Sequence, residues 1–206
     1  MIRKIITKIF FVHTNIIMPS DLLKPKVFIK WAELLCLLID KKVSDDAQID
    51  LEDDEKASLV LWKEKKWAMR TLARISERYG SPEHVDTEYK VFSEWFITKI
   101  SDRILKTIFR LIDQYKEGRY VAPKVMMYAL SFLDNCITQT TTFMMVEGRI
   151  LDVIKSVILP LMSHTEDDED LWETDPNEFV KTKYGACDDY SNIQGEAQSL
   201  LTSVCR

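Results

Sequence analysis

Apolar residues recur along this chain with the 3.6-residue period of an α-helix, and the alternation typical of a β-strand never holds over a strand's length. The first two predicted helices lie on either side of Pro19, and Ser20 or Asp21 is the expected N-cap of the second. Their predicted buried stripes are Ile2, Ile5, Ile6, Ile9 and Phe10, followed by Val27, Trp31, Leu34, Leu35 and Leu38.

Further predicted helices follow the same pattern, and glycine or proline marks where most of them stop. Their spans are residues 61–79, 89–115, 121–136 and 146–161, with a last helix opening at Ala197. Gly80 and Gly118 are expected to end the first two of these spans, and Pro160 to kink or close the fourth. Pro123 is tolerable because it falls in a first turn.

A series of amphipathic helices with short links suits either a compact bundle or a stack of antiparallel helix pairs. Pairs covering residues 2–40, 59–116 and 119–162 recur at roughly 40–60 residues, near the ~40–47 residues of HEAT and armadillo repeats. We therefore predict an all-α fold, an α-solenoid of HEAT-type antiparallel helix pairs. A single solenoid fragment is expected over residues 1–206, with acidic insertions at 44–58 and 164–178.

Composition agrees with this class, because five Gly and six Pro are too few for a turn-rich β fold. The first residues fit an amphipathic helix better than a signal peptide, since Lys4 and Lys8 interrupt the apolar run. No apolar stretch approaches the ~18 residues of a membrane span, so we predict no membrane insertion. The cysteines lack zinc-site spacing and are interpreted as reduced thiols of a cytosolic or nuclear protein: Cys36, Cys136, Cys187 and Cys205.

Acidic residues are concentrated in two stretches, although the net charge is only −5. Residues 44–58 hold seven acids and one base, residues 166–178 hold eight acids and no base, and the remainder is net positive. Such a run is either a solvated loop that keeps the stack soluble or a polyanion that attracts basic partners over a Debye length, ~8 Å. The candidate partner-binding residues are Glu166, Asp167, Asp168, Glu169, Asp170, Trp172, Glu173 and Asp175, together with Asp45, Asp46, Glu52, Asp53, Asp54 and Glu55.

The second acidic stretch also carries apolar side chains. These are expected to pin part of it to the solenoid: Leu171, Trp172, Phe179 and Val180. An EF-hand loop starting at Asp168 would need glycine at its sixth position, where Glu173 stands instead. We therefore predict only weak, nonspecific binding of divalent cations, and no metal site.

The third predicted helix carries a basic face formed by Lys63, Lys65, Lys66, Arg70, Arg74 and Arg78. This face could meet nucleic-acid phosphates, or it could be an ordinary solvated face, open or covered by an acidic loop of the same protein. The solvated face is favoured, because a chain with a pI near 5.3 is a poor binder of polyanions. Direct nucleic-acid binding is accordingly not predicted.

Catalysis finds no support in the sequence. His13, His84 and His164 have no Ser or Cys nucleophile in a recognisable setting, and no phosphate-binding or nucleophile-elbow motif occurs. We predict no enzymatic activity, no catalytic residues and no cofactor.

Three stretches carry a resemblance to a known family: residues 65–68 (KKWA) with 72–82 (LARISERYGSP), residues 115–123 (YKEGRYVAP), and residues 159–179 (LPLMSHTEDDEDLWETDPNEF). They resemble the importin-β superfamily, in particular the branch that contains importins seven and eight, with exportin-two more distant. The likeness spans nearly the whole chain. It weakens after Lys183, where residues 184–190 (YGACDDY) replace a more hydrophobic, acidic, helix-like segment.

The resemblance implies part of a nuclear transport receptor, which carries cargo through nuclear pores and releases it when the GTPase Ran binds in its GTP form. The implied partners are Ran, basic cargo such as ribosomal proteins and histones, and phenylalanine-glycine nucleoporins. The implied location is the cytoplasm, the nucleus and the nuclear pore. Residues 166–175 match by position a middle acidic loop that contacts Ran or basic cargo, whereas the principal Ran contacts lie in first repeats that this chain lacks. A truncated helical-repeat scaffold without binding activity of its own is the alternative.

Overall fold

The fold is helical throughout the residues that the computed structural model describes, which are 2–15, 17–44, 46, 48–164, 166–184 and 193–206; these residues contain no strand. The predicted all-α class is confirmed. The α-helices are α1 (Ile2–Asn15), α2 (Pro25–Asp40), α3 (Asp53–Ser58), α4 (Val60–Tyr79), α5 (Lys90–Trp95), α6 (Ser101–Lys116), α7 (Pro123–Ile137), α8 (Thr140–Val153), α9 (Leu159–Met162), α10 (Glu166–Thr174), α11 (Pro176–Tyr184) and α12 (Ile193–Val204).

Two of the predicted helices contain a wider turn. A π-helix at Phe96–Ile100 joins α5 to α6, and another at Ile154–Ile158 joins α8 to α9. Pro160 lies in the first turn of α9, where its missing N–H is tolerated, and the helix ends two residues later at Met162. A short 3-10 turn, Thr87–Tyr89, precedes α5.

The helices form two layers. The layer that we call B contains α1, α4, α7 and α12, each packed on the next, and the layer that we call A contains α2, α5–α6 and α8–α9. Within layer A, Arg103 of α6 pairs with Glu33 of α2, and Arg110 pairs with Asp40. Residue numbers therefore increase in the same direction along both helices, which means that α2 and α6 run parallel. In layer B, α1 and α4 run parallel for the same reason, since Phe11 meets Trp67 and Asn15 meets Arg74. Parallel layers joined by antiparallel steps are the architecture of a helical-repeat solenoid.

The pairing of helices differs from the predicted repeats. Helix α2 packs more extensively on α4 than on α1, and α9 packs on α12. The prediction paired the two helices of residues 2–40, but α2 pairs with α4 instead. The acidic stretch between α2 and α4 therefore lies inside a pair and does not separate two pairs.

Helix α1 buries only Phe10 of the predicted stripe. Ile2, Ile5, Ile6 and Ile9 are exposed, and the buried positions are Thr7, Phe10, Phe11 and Thr14. This set also has helical spacing, so periodicity alone could not choose between the two faces. The threonines tolerate burial because their hydroxyls donate to carbonyl oxygens one turn earlier, at Arg3 and Phe10.

Two glycines end helices for different reasons. Gly118 follows α6 with φ at +75°, a left-handed conformation that side chains other than glycine adopt with strain. Gly80 caps α4 with an ordinary φ of −82°. There a Cβ atom would lie 2.3 Å from the carbonyl oxygen of Ser76, so close approach of the backbone requires glycine.

Candidate partner-binding surfaces

The first acidic stretch ends in a capped helix. Glu52 is the N-cap of α3, and its backbone N–H donates to the carboxylate of Glu55 at 3.2 Å, which completes a capping box. Asp53, Asp54 and Glu55 occupy the first turn, where negative charge is favourable next to the helix dipole. Of the candidate residues in this stretch, Asp46, Glu52, Asp53, Asp54 and Glu55 are exposed, and Asp45 lies outside the described residues.

Aromatic side chains of the solenoid hold this first stretch. The indole N–H of Trp62 donates to the buried amide oxygen of Gln48 at 2.9 Å, and the Tyr120 hydroxyl donates to the Asp53 carbonyl oxygen at 2.8 Å. The rings of Trp62 and Tyr120 also meet edge to face at 5.5 Å. Lys56 lies over the Tyr120 ring and pairs with Asp53 at 2.9 Å. Several acids of this stretch therefore serve its own folding.

Lys65 lies beneath the first stretch and not on a solvated face. Only 2% of its surface is exposed, its ammonium donates to the Ile39 carbonyl oxygen, and it faces the Trp62 ring. Burial lowers the pKa of Lys65 to about 8, and the charge of Asp40 opposes that shift. A cavity of about 180 Å³ beside it is also lined by Lys42 and Arg119.

The second acidic stretch forms a helical hairpin. Helix α10 carries most of the acids, and Asp175 then begins α11, since one carboxylate oxygen accepts from the N–H groups of Asn177 and Glu178 at 3.1 and 3.0 Å. Pro176 at the first position of α11 suits this cap. Helix formation turns the run of acids into an ordered, negatively charged surface that presents Glu166, Glu169, Asp170, Glu173 and Asp175 to solvent.

The hairpin packs chiefly on itself. Phe179 is buried between the Trp172 ring, edge to face at 5.3 Å, and the His164 ring, stacked at 5.9 Å. Trp172 and Val180 stay about half exposed, at 53% and 49%, and Leu171 is half-buried. These side chains were expected to pin the stretch to the solenoid. Their main contacts instead lie between α10 and α11.

An open cavity of about 550 Å³ lies on the hairpin. Carboxylates and rings line it together: Asp168, Glu169, Glu173, His164, Trp172 and Phe179. Sequence reasoning missed His164, whose only signal was its place just before the acidic run. Carboxylates beside an exposed indole suit an ammonium or guanidinium group, which gains both ion pairing and a cation–π contact. Among the described residues, no three or more His, Cys, Asp or Glu side chains converge as metal ligands.

The predicted basic face of α4 is largely an interface with α1. The Arg70 guanidinium lies 4.7 Å from the Phe11 ring centre and 5.1 Å from that of Trp67. Arg74 donates to the Asn15 side chain at 3.1 Å, and Arg78 donates to the Asn15 carbonyl oxygen at 2.6 Å. The expectation of an ordinary solvated face is wrong for Arg70 and Arg74, which are half-buried and pack one repeat on the next, whereas Arg78 is exposed as expected.

These features define a helical-repeat scaffold with an acidic hairpin, and within its described residues no helix has the length and apolar character to cross a membrane. The whole chain is 32% identical over 206 residues to Importin-8 of Mus musculus and of Homo sapiens. It is 26% identical over 204 residues to the importin beta-like SAD2 homolog of Arabidopsis thaliana. The chain therefore belongs to the importin-β family, in the branch of importins seven and eight. It spans about a fifth of the length of these relatives, 20% in each case. No protein-family model and no solved structure matches it.

Proposed function

We propose that the chain is part of a nuclear transport receptor for protein import and provides a scaffold for cargo, Ran and phenylalanine-glycine nucleoporins. Homology to Importin-8 along the whole chain and the two-layer solenoid support this role. Shuttling between cytoplasm and nucleus through the pore follows from the same role. We assign the chain no catalytic step and no cofactor.

The geometry of the acidic hairpin, α10 with α11, is the main support for assigning partner binding to particular residues. Its carboxylates stand on one ordered helix beside the open cavity and the half-exposed Trp172 ring. A basic segment of cargo, or a basic surface of Ran, would be attracted over ~8 Å and then held by ion pairs and a cation–π contact. We give the first stretch a smaller share, because Glu52, Asp53 and Glu55 are engaged in capping and anchoring α3.

Binding of a fluorescent lysine-rich peptide, measured by anisotropy at low salt, tests this role. The hairpin variant carries Glu166→Gln, Glu169→Gln and Glu173→Gln, and the control variant carries Glu83→Gln, Glu94→Gln and Glu147→Gln at exposed sites elsewhere. We expect about tenfold weaker binding for the hairpin variant, since three exposed ion pairs contribute ~0.3–0.5 kcal/mol each. Equal weakening in both variants would show that only net charge matters and would remove the hairpin from the proposal.

The exposed apolar face of α1 favours a second candidate, a bare scaffold without binding activity of its own. Ile2 is 74% exposed and Val12 is 65% exposed, with Ile5 and Ile9 between them. Such a contiguous apolar face promotes self-association. A bare scaffold predicts concentration-dependent assembly that Ile5→Ser with Ile9→Ser abolishes, and no binding of the lysine-rich peptide by the resulting monomer. Peptide binding by that monomer excludes this candidate.

A further inference from the structure

We propose that the cavity on the hairpin is an arginine-selective site, in which a guanidinium group of a basic partner stacks on the Trp172 ring and pairs with carboxylates of α10. The inference rests on the proposed function and deepens it, because it specifies which basic side chain the hairpin recognises. The cavity of about 550 Å³ lies within the ~300–1,000 Å³ of small-ligand sites, so one side chain of a partner fits into it.

Trp172 differs from the other tryptophans in what covers its ring. Of the five tryptophans, Trp172 is the only exposed one. Lys8 and Arg70 lie over the Trp67 ring at 4.8 and 5.1 Å, and Lys65 lies over the Trp62 ring at 5.4 Å. Over Trp172 no cation lies within the part of the chain that the structure describes, and the ring meets only the edge of a phenylalanine there. Its open face is therefore accessible to a cation from a partner.

The neighbours of this ring on α10 are acidic. Glu169, Trp172 and Glu173 lie within about one turn of each other and line the same cavity. Neither of the two glutamates forms an ion pair with a described residue, and both are exposed. The ring and the carboxylates thus face one space, and their combined charge is complementary to a single cation.

Arg149 of α8 shows the proposed arrangement inside the same molecule. Its guanidinium lies 4.8 Å from the centre of the Phe109 ring and pairs with Asp113. Phe109 and Asp113 stand one turn apart on α6, as Glu169 and Trp172 do on α10. A ring and a carboxylate at this spacing therefore accept one guanidinium from another helix, and the hairpin offers the same pair without an arginine of its own over the ring.

The shape of the site favours a planar cation over a compact one. Phe179 is buried between Trp172 and His164, so the three rings do not surround a cation in the way that an aromatic cage surrounds a methylated ammonium. A lysine ammonium keeps its water strongly and gains little in an open cavity. A guanidinium is weakly hydrated, stacks flat on one ring and can donate to two carboxylates at once.

Two peptides test this selectivity, the fluorescent lysine-rich peptide and the same peptide with every lysine replaced by arginine. The decisive variant is Trp172→Leu, which removes the ring and keeps every carboxylate. Trp172→Phe keeps a smaller ring, and Val180→Ala is the matched control at a half-exposed position lining the same cavity. By anisotropy we expect the parent chain and Val180→Ala to bind the arginine peptide about fivefold more tightly than the lysine peptide. The ratio should fall to within about twofold in Trp172→Leu and stay at about threefold in Trp172→Phe.

The lysine peptide also reports whether the hairpin of Trp172→Leu is intact, since its affinity depends on the carboxylates and should change by less than about twofold. Equal binding of the two peptides by the parent chain would overturn the inference, while weaker binding of both by the hairpin variant would still support the proposed function. An arginine preference that persists unchanged in both Trp172 variants would also overturn it, because the selection would then lie elsewhere. Absence of binding of either peptide would overturn the inference and the proposed function together.

Discussion

The two acidic stretches resemble each other in composition but are held by different parts of the molecule. The first is tied to the solenoid through Gln48 and Trp62 and through the Asp53 carbonyl and Tyr120. The second folds around its own Phe179. Charge density therefore does not decide how such a run is ordered. The decisive factor is which aromatic side chains and hydrogen-bond donors the run can reach.

The comparison also separates two uses of a carboxylate. In the first stretch the acids around α3 stabilise the start of a short helix, and one pairs with Lys56. In the hairpin, apart from the capping residue Asp175, the acids Glu166, Glu169, Asp170 and Glu173 of α10 face solvent. The same residue type thus caps and anchors a helix in one stretch, whereas in the other it mainly forms an exposed charged surface.

The largest expected effect comes from removing the anchor of the first stretch. Trp62→Ala deletes a buried indole together with its bond to Gln48 and its contact with Tyr120, so we expect a loss of ~3–5 kcal/mol in unfolding free energy. Trp172→Ala in the half-exposed hairpin site should cost less than ~1 kcal/mol. Urea denaturation of both variants measures the difference, and similar losses would contradict the contrast in anchoring.

A local effect is expected at the centre of the hairpin. Phe179→Ala removes the buried ring between Trp172 and His164, so α10 and α11 should open while the two layers stay folded. Hydrogen exchange should show faster amide exchange across residues 166–184, with the urea midpoint nearly unchanged. Slow exchange there would mean that the hairpin relies on the solenoid. Val180→Ala, at a half-exposed site, is the matched control.

The smallest effect concerns the capping box of α3. Glu55→Ala removes the acceptor for the Glu52 N–H and should cost about 0.5–1 kcal/mol, whereas Glu55→Gln keeps an acceptor and should cost less. Urea denaturation distinguishes the two variants. Equal stability of Glu55→Ala and the parent chain would show that the bonds of Trp62 and Tyr120 hold this segment without help from the capping box.

Helical periodicity was enough to predict most of the helices, because each long helix has one apolar face that the neighbouring layer covers. It failed at α1, where Thr7 and Thr14 replace the isoleucines in the interface and satisfy their hydroxyls within the helix. It also did not predict which helices pair, since in sequence an acidic link inside a pair resembles a link between two pairs. Both failures concern contacts between elements, which local spacing does not encode.

The candidate surfaces were predicted in part. Density of acids located both stretches, but helix formation in α10 and the ring of His164 on Phe179 depend on packing between segments. The different roles of the basic residues of α4 could not be predicted from the sequence. The same helix buries Lys65, uses Arg70 and Arg74 against α1, and leaves Lys63 and Lys66 half-buried.

Hydrogen exchange of the intact chain, with and without a lysine-rich peptide at saturation, tests most directly whether the hairpin receives basic partners. The account predicts slower amide exchange over residues 166–184, centred on Trp172, and little change over residues 48–58. Protection confined to residues 48–58, or spread evenly over both stretches, would contradict it.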